Sequence, residues 1–335
     1  MTNSRISQPI TTTINVNVPN KSPIFIVGCD RSGTTLLRLM LNQSPVLYIT
    51  PETKFLTSLK QNQAIYGDFT QSYQRYFLIR DLQTNQATSK TFTFPIFGLT
   101  IVETEQAIAT VAPTNFAIAA QAIFQASVIK KNKQRWGDKT PHQVKHINSL
   151  AKSFPNAQFI HVIRDGRDVA ISMRKAGWLK GNMLAIAQYW QQQVQAGISA
   201  GRSLDNNKNR YYEMYYEQLV QQPEATLKDL CAWLHLEYTP QMLEYYRDAD
   251  THIQPEHSNL FELNRKPIDA SRAYAWKSQL SHQDIADFES IAGNLLSALG
   301  YELNGAKISL TTKLIRIFKS LFTPFLYQLK KKLEI

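Results

Sequence analysis

Short apolar runs, separated by stretches with helical spacing, set out the chain. Residues 22–28, Ser-Pro-Ile-Phe-Ile-Val-Gly, are apolar between a proline and a glycine, which predicts a buried parallel strand. From Gly33 onward Leu36, Leu37, Met40 and Leu41 recur three and four apart, the stripe of an amphipathic helix. A second strand is expected at 46–49, and Thr50-Pro51-Glu52 then reads as a helix start with proline near its first position. Further on the pattern predicts a helix over 142–153, a strand over 158–164, helices over 167–175 and 183–200, an aromatic strand over 210–216, and a helix over 223–234 opened by Pro223. The remainder reads as helix, with loops around 250–275. Residues 60–135 are rich in Gln, Thr and Ala and show helices and loops but no strand rhythm. They are the expected substrate-binding insertion. Strands alternating with helices predict the α/β class, with a parallel sheet covered on both faces.

At 335 residues and 43% hydrophobic, the chain is long enough for one large domain or a domain with an insertion. No apolar run reaches the ~18 residues of a membrane span. Residues 1–21 are polar and lack the apolar stretch of a signal peptide, so a disordered leader is expected. Two cysteines, Cys29 and Cys231, exclude a disulfide framework and a cysteine-based zinc site. They suit a reducing cytoplasm. The net charge of +11 is uneven: residues 307–335 carry seven Lys/Arg and one acid, so +6 sits there and 11 − 6 leaves +5 elsewhere. In that tail Lys313, Arg316 and Lys319 interleave with Ile317, Phe318, Leu321, Phe322, Phe325 and Leu329. Such a basic amphipathic helix can lie on an anionic membrane surface or pack on the domain. A nucleic-acid-binding module would spread its charge over one face, so nucleic acid is not expected as a partner. The oligomeric state is open.

Candidate chemistry begins at residues 28–35, Gly-Cys-Asp-Arg-Ser-Gly-Thr-Thr, between the first strand and its helix. Backbone N–H groups at a helix N-terminus favour an anion, and Gly33 lets the backbone curl closely around it. Arg31, Ser32, Thr34 and Thr35 add donors. The spacing is that of a phosphate-binding loop, but Thr34 stands where lysine serves β- and γ-phosphates. That weakens a kinase or NTPase reading and implies a P-loop-like fold with a different donor. A second candidate lies at 164–172, Arg-Asp-Gly-Arg-Asp-Val-Ala-Ile-Ser, at the carboxyl end of a strand, where ligands gather in open α/β sheets. Arg164 can grip a phosphate by two N–H groups and Ser172 can add a hydroxyl. Taken alone, this segment reads equally as surface ion pairs. Together, two anion sites suit a nucleotide phosphorylated at both ends of its ribose, such as 3′-phosphoadenosine 5′-phosphosulfate (PAPS). Among the histidines, His161 reads as a strand core residue. His142 and His146, four apart on one expected helix, have no acidic third ligand near in sequence, so no metal is expected. His142 is a fallback base because it is close to Lys139.

These residues resemble the sulfotransferase superfamily, in particular the branch of the tyrosylprotein sulfotransferases. The resemblance rests on Arg-Ser-Gly-Thr-Thr-Leu-Leu-Arg-Leu-Met-Leu (31–41), Pro-Glu-Thr-Lys (51–54), Asp-Lys-Thr-Pro (138–141), Phe-Pro-Asn-Ala-Gln-Phe-Ile-His-Val-Ile-Arg-Asp-Gly-Arg (154–167), Tyr-Tyr-Glu-Gln-Leu-Val (215–220) and Lys-Pro-Ile followed by Trp276. It implies a sulfotransferase domain over 22–306 that moves a sulfonate from PAPS to a hydroxyl acceptor without a metal. It implies that Arg31, Ser32, Gly33, Thr34 and Thr35 bind the 5′-phosphosulfate, that Arg164 and Ser172 bind the 3′-phosphate, and that Tyr216 and Lys266 line the nucleotide. It implies Glu52 as general base and Lys139 as the group stabilising the transition state. Partial burial is expected to raise the Glu52 pKa toward a useful range. Cys29-Asp30 depart from the family, which often has proline before the arginine, and Asp30 is expected to point away from the anion loop. The acceptor stays open among peptide tyrosine, glycan, lipid and small alcohols. A catalytically inactive nucleotide-binding protein is the remaining alternative.

Overall fold

The computed structural model describes residues 22–60, 63–84, 94–204, 209–249 and 263–305. The expected leader 1–21 and basic tail 307–335 lie outside the described residues. Five strands, β1 (Ile24–Gly28), β2 (Leu47–Thr50), β3 (Arg135–Lys139), β4 (Gln158–Ile163) and β5 (Tyr211–Tyr215), form one sheet in the order β2-β3-β1-β4-β5. Every neighbouring pair is parallel. The expected α/β architecture is therefore present, P-loop-like, with helices on both faces. Strand β1 is central: the chain leaves it toward β2 and β3 on one side and reaches β4 and β5 on the other. A crevice at its carboxyl end follows from that reversal.

Alternation along β1 divides the core. Phe25 and Val27 face one side, where they join Trp136 of β3 and helices α6 (Phe116–Lys130) and α7 (Ile147–Ser153). Ile24 and Ile26 face the other, with α1 (Thr34–Leu41) and α11 (Pro223–Leu234). All five residues of β1 are buried, as a strand covered on both faces requires. A third apolar cluster joins α8 (Gly166–Lys175), α9 (Met183–Leu204) and the C-terminal helix His282–Ala298. Within 60–135 the structure has α2 (Phe55–Ser58) leading in, then α3 (Gln63–Tyr66), α4 (Ser72–Thr84), α5 (Ile101–Val111) and α6. Helix α5 opens on a capping box from Thr100 and Glu103. Phe124 of α6 stacks on Trp136 with ring centroids 4.4 Å apart, which ties this helical region to the sheet.

Four expectations are corrected. The segment around Lys139, between the insertion expected over 60–135 and the helix expected over 142–153, was given no strand; it is β3, with Lys139 as its last residue. Glu52 was expected to open a helix; it lies in the loop before α2, whose N-cap is Lys54. The helix expected over 142–153 is a 3-10 turn, Pro141–His146, followed by α7. Strand β5 also ends one residue early, and Tyr216 begins α10 (Tyr216–Gln221).

Candidate active site

The parallel sheet brings the predicted site residues to one edge. Residues 31–35 follow β1, Glu52 follows β2, Lys139 ends β3, Arg164 follows β4 and Tyr216 follows β5. Each strand thus delivers one part of the site, although the parts are up to 185 residues apart in sequence (31 to 216).

The loop after β1 is built by backbone geometry. Gly33 has φ +96°, and a Cβ there would meet the Tyr216 ring at 2.4 Å. Only glycine allows both. Ser32 N–H bonds back to the Cys29 carbonyl at 3.2 Å. The Ser32 hydroxyl is buried with no partner among the described residues, an orphan donor of the kind a bound oxyanion would satisfy.

Arg31 joins the two anion sites. Its Nε donates to the Ser172 hydroxyl at 3.0 Å, and its carbonyl accepts from Arg164 Nη1 at 3.3 Å. The two sites, read from sequence as separate, are contiguous. Burial, then the nearby Arg164 charge, hold the Arg31 pKa below its ordinary value. Two neighbouring cationic side chains, one of them held below its ordinary pKa by burial and by the other's charge, favour a bound anion. Arg164 is fixed from other sides as well. Its Nη2 donates to the Arg272 carbonyl at 3.0 Å, and its guanidinium lies 4.1 Å over the Tyr216 ring. Arg164 Nε is buried without a partner among the described residues. The Tyr216 ring is therefore held between Gly33 and Arg164 and is nearly enclosed. Lys266 is exposed; its carbonyl accepts from the Tyr245 hydroxyl at 2.8 Å.

Opposite the loop, Lys139 Nζ donates to Glu52 Oε1 at 2.9 Å. Lys139 is 2% exposed, while Glu52 keeps part of its surface open and has Lys54 at 3.8 Å. Burial alone would raise the Glu52 pKa. The charge and hydrogen bond of Lys139, with Lys54 and His142 behind them, outweigh it and hold the carboxyl below its ordinary value. This corrects the expectation of a raised Glu52. Burial likewise lowers the Lys139 pKa, with Arg38 adding to the effect and Glu52 opposing it. Behind the pair, Thr50 and Thr140 hydroxyls donate to Asp138 at 3.1 and 2.9 Å, which ties the ends of β2 and β3 together.

Some functional neighbours were missed from sequence. Arg38, nearly buried on α1, adds a cation felt by Glu52 and Lys139; the apolar stripe of that helix gave it no special place. Asp30 does turn toward protein rather than toward the anion loop, bonding Tyr189 and His142. Of the two histidines expected on one helix, His142 bonds Asp30 through Nδ1 at 2.8 Å, and burial lowers the His146 pKa. His161 is a core residue as expected, bonded to the Tyr211 hydroxyl at 2.6 Å, and burial lowers its pKa to about 3.

Residues 23–240 match the family model described as the sulfotransferase family. The chain belongs to that family. A putative protein-tyrosine sulfotransferase of Caenorhabditis briggsae is 24% identical over 85% of this chain and 90% of its own length. The protein-tyrosine sulfotransferase of Drosophila melanogaster is 26% identical over 83% of this chain, which spans about half, 51%, of that relative. Among solved structures, the sulfotransferase domain of the Synechococcus PCC 7002 olefin synthase is 25% identical, covers 85% of this chain and 98% of its own, and superposes with a TM-score of 0.55. The family activity is transfer of a sulfonate from PAPS to a hydroxyl group.

Proposed function

We propose that the residues at the five strand ends divide the transfer between them. Residues Arg31, Ser32, Gly33, Thr34 and Thr35 hold the 5′-phosphosulfate, and Arg164 with Ser172 holds the 3′-phosphate. Tyr216 and Lys266 line the nucleotide. Supporting this, the Ser32 hydroxyl and the Arg164 Nε, each buried without a partner among the described residues, and the neighbouring Arg31 and Arg164 charges fit a ligand with more than one anionic group. PAPS, when bound, supplies the sulfonate and a phosphate leaving group. Glu52, ionised at neutral pH, takes the proton of the acceptor hydroxyl. Lys139 offers its charge to the oxygen that gains electrons as the old bond breaks. A fixed loop and a fixed ion pair also hold the partners in line.

One observation carries the reading. Arg31 ties the two anion-binding segments together, its Nε donating to Ser172 and its carbonyl accepting from Arg164, and Glu52 is among the charges that act on it. The acceptor is a hydroxyl. Peptide tyrosine heads the candidates because that is the acceptor in the relatives' names; glycan, lipid and small alcohols complete them. The charge of residues 307–335 supports a peripheral contact with an anionic membrane, and the free, buried thiols of Cys29 and Cys231 support a cytoplasmic setting.

Calorimetry with 3′,5′-bisphosphoadenosine (PAP), followed by an assay of labelled PAPS against tyrosine peptides, sugars, sterols and long-chain alcohols, tests the reading. We expect PAP to bind, and E52A and K139A to lose roughly 10²–10³-fold in kcat while PAP binding persists. No heat with PAP, or full turnover in both variants, defeats it.

A further inference from the structure

Two consecutive residues of α9 reach two different parts of the site. The Tyr189 hydroxyl donates to Asp30 Oδ2, on the residue that precedes the anion loop 31–35. Trp190 Nε1 donates to the Arg164 carbonyl at 3.0 Å. His142 Nδ1 bonds the same Asp30 oxygen at 2.8 Å, and His142 stands three residues beyond Lys139. That carboxylate therefore also ties down the turn after β3. Strands β3 and β4 flank β1, with Ile26 opposite Lys139 and Gly28 opposite Val162. The loops leaving these three strands thus share one support.

The support is closely seated. Trp190, Val194, Gly197 and Gly201 recur on one face of α9, and all four are buried. A Cβ at Gly197 would run into the His161 ring of β4, and one at Gly201 into the Tyr211 ring of β5, so the helix lies directly on the sheet. Trp190 is fully buried, with its ring 5.7 Å from that of Phe288.

Such a support matters because the anion loop is strained. Arg31 has φ +69°, a left-handed conformation that a residue other than glycine keeps only where its surroundings enforce it. Asp30, immediately before it, is buried and accepts both bonds on one oxygen. The bond from Arg31 Nε to Ser172 depends on where that backbone is held. Arg164 is fixed through its own carbonyl. A nucleotide phosphorylated at both ends of its ribose presents the two phosphates at a spacing set by a ring. Both are gripped at once only if their sites already stand that far apart.

We propose that Tyr189 and Trp190 are positioning residues: through Asp30 and the Arg164 carbonyl they hold the two anion sites at the separation a doubly phosphorylated nucleotide needs. His142 is the second holder of Asp30. This rests on the assignment of residues 31–35, Arg164 and Ser172 to the donor.

Calorimetry of the full-length protein with PAP and with adenosine 5′-monophosphate (AMP) tests it. AMP carries the 5′-phosphate alone, so the ratio of the two affinities reports whether both sites are engaged together. AMP binding by itself reports a folded loop. W190F keeps a ring in the core and removes the N–H; we expect its preference for PAP over AMP to fall roughly 3–10-fold, with AMP affinity held. Y189F leaves Asp30 its His142 bond, so the ratio should fall less. Y189F/H142A takes both donors away and should match W190F. In Y189F/H142N the asparagine amide N–H, placed much as Nδ1 is, should bring the ratio back to that of Y189F. A preference unmoved in W190F and in Y189F/H142A overturns the proposal. So does an equal loss of AMP and PAP affinity, which plain loosening of the fold would give. Should W190F not fold, Y189F/H142A decides alone. If wild type binds no PAP, the donor assignment fails and the positioning role with it; if wild type prefers PAP and the variants keep that preference, only the positioning role fails.

Discussion

Asp138 shows what one buried residue contributes beneath a reactive pair. It is fully enclosed beside Lys139 and holds the ends of β2 and β3 through Thr50 and Thr140. Burial pushes its pKa up to about 6, and the threonine hydroxyls pull back only part of the way. A carboxyl raised in the folded state keeps its proton where the unfolded chain has already lost it. Between pH 4 and 6 the unfolded state therefore binds fewer protons, and stability falls as pH rises. Above about 6 both forms are ionised and the difference is constant. Relative to D138N, wild type should lose about 3 kcal/mol across that window. Urea unfolding of both proteins at several pH values measures it; a difference that is flat from pH 4 to 7 would show Asp138 ionised throughout. Glu52 runs the opposite way, because its partners lower its pKa. The same pair of strand ends thus carries one carboxyl that resists ionisation and one that resists protonation.

At the level of elements, what was legible depended on how each strand is buried. Strands β1 and β4 are apolar runs enclosed on both faces, and their ends fall within a residue or two of expectation. Strand β3, Arg-Trp-Gly-Asp-Lys, is equally buried but holds one large apolar residue. Its polar groups are met by distant partners. Arg135 donates to the Ser22 and Leu234 carbonyls and to Gln158, and Asp138 and Lys139 serve the site. Periodicity cannot report such a strand, because its burial rests on partners that only the fold brings together. The same reason hid the tie from Asp30 to Tyr189, 159 residues away. The anion loop was legible because its chemistry is local: strand, glycine loop and helix in one run. Gly137 marks how tightly β3 is seated. A Cβ there would lie 2.7 Å from the Ile24 carbonyl and 2.9 Å from Ile49 Cγ1. G137A must push β1 and β2 apart, so it should cost roughly 1–3 kcal/mol. It should also lower kcat, since Lys139 lies two residues on. Denaturant unfolding with a parallel kcat measurement checks both; an unchanged midpoint would mean that the sheet absorbs the methyl group without strain.

For the whole molecule, parallel strands convert sequence distance into a single edge, and charge is arranged along it. Arg31, Arg38, Lys139 and Arg164 all sit at the site end, partly or wholly buried, a local concentration of positive charge that suits the polyanionic donor proposed above. The segment 307–335 is different. It carries +6 of the net +11, it is beyond the region matched by the family model, 23–240, and no site residue comes from it. In the peripheral contact proposed above, its charge would face an anionic surface and its interleaved aromatic and aliphatic residues would add an apolar contribution. Among the described residues no helix is long and apolar enough to cross a membrane; the contact proposed for 307–335 is peripheral because seven Lys/Arg are set among its apolar residues. Deleting 307–335 should leave PAP binding and turnover of a water-soluble acceptor unchanged. Pelleting with vesicles containing phosphatidylserine should fall sharply, and in the full chain it should weaken as salt rises. If the truncated protein pellets as well as the full chain, the membrane contact belongs elsewhere. If truncation instead abolishes PAP binding, the segment packs on the domain and its apolar stripe is part of the fold.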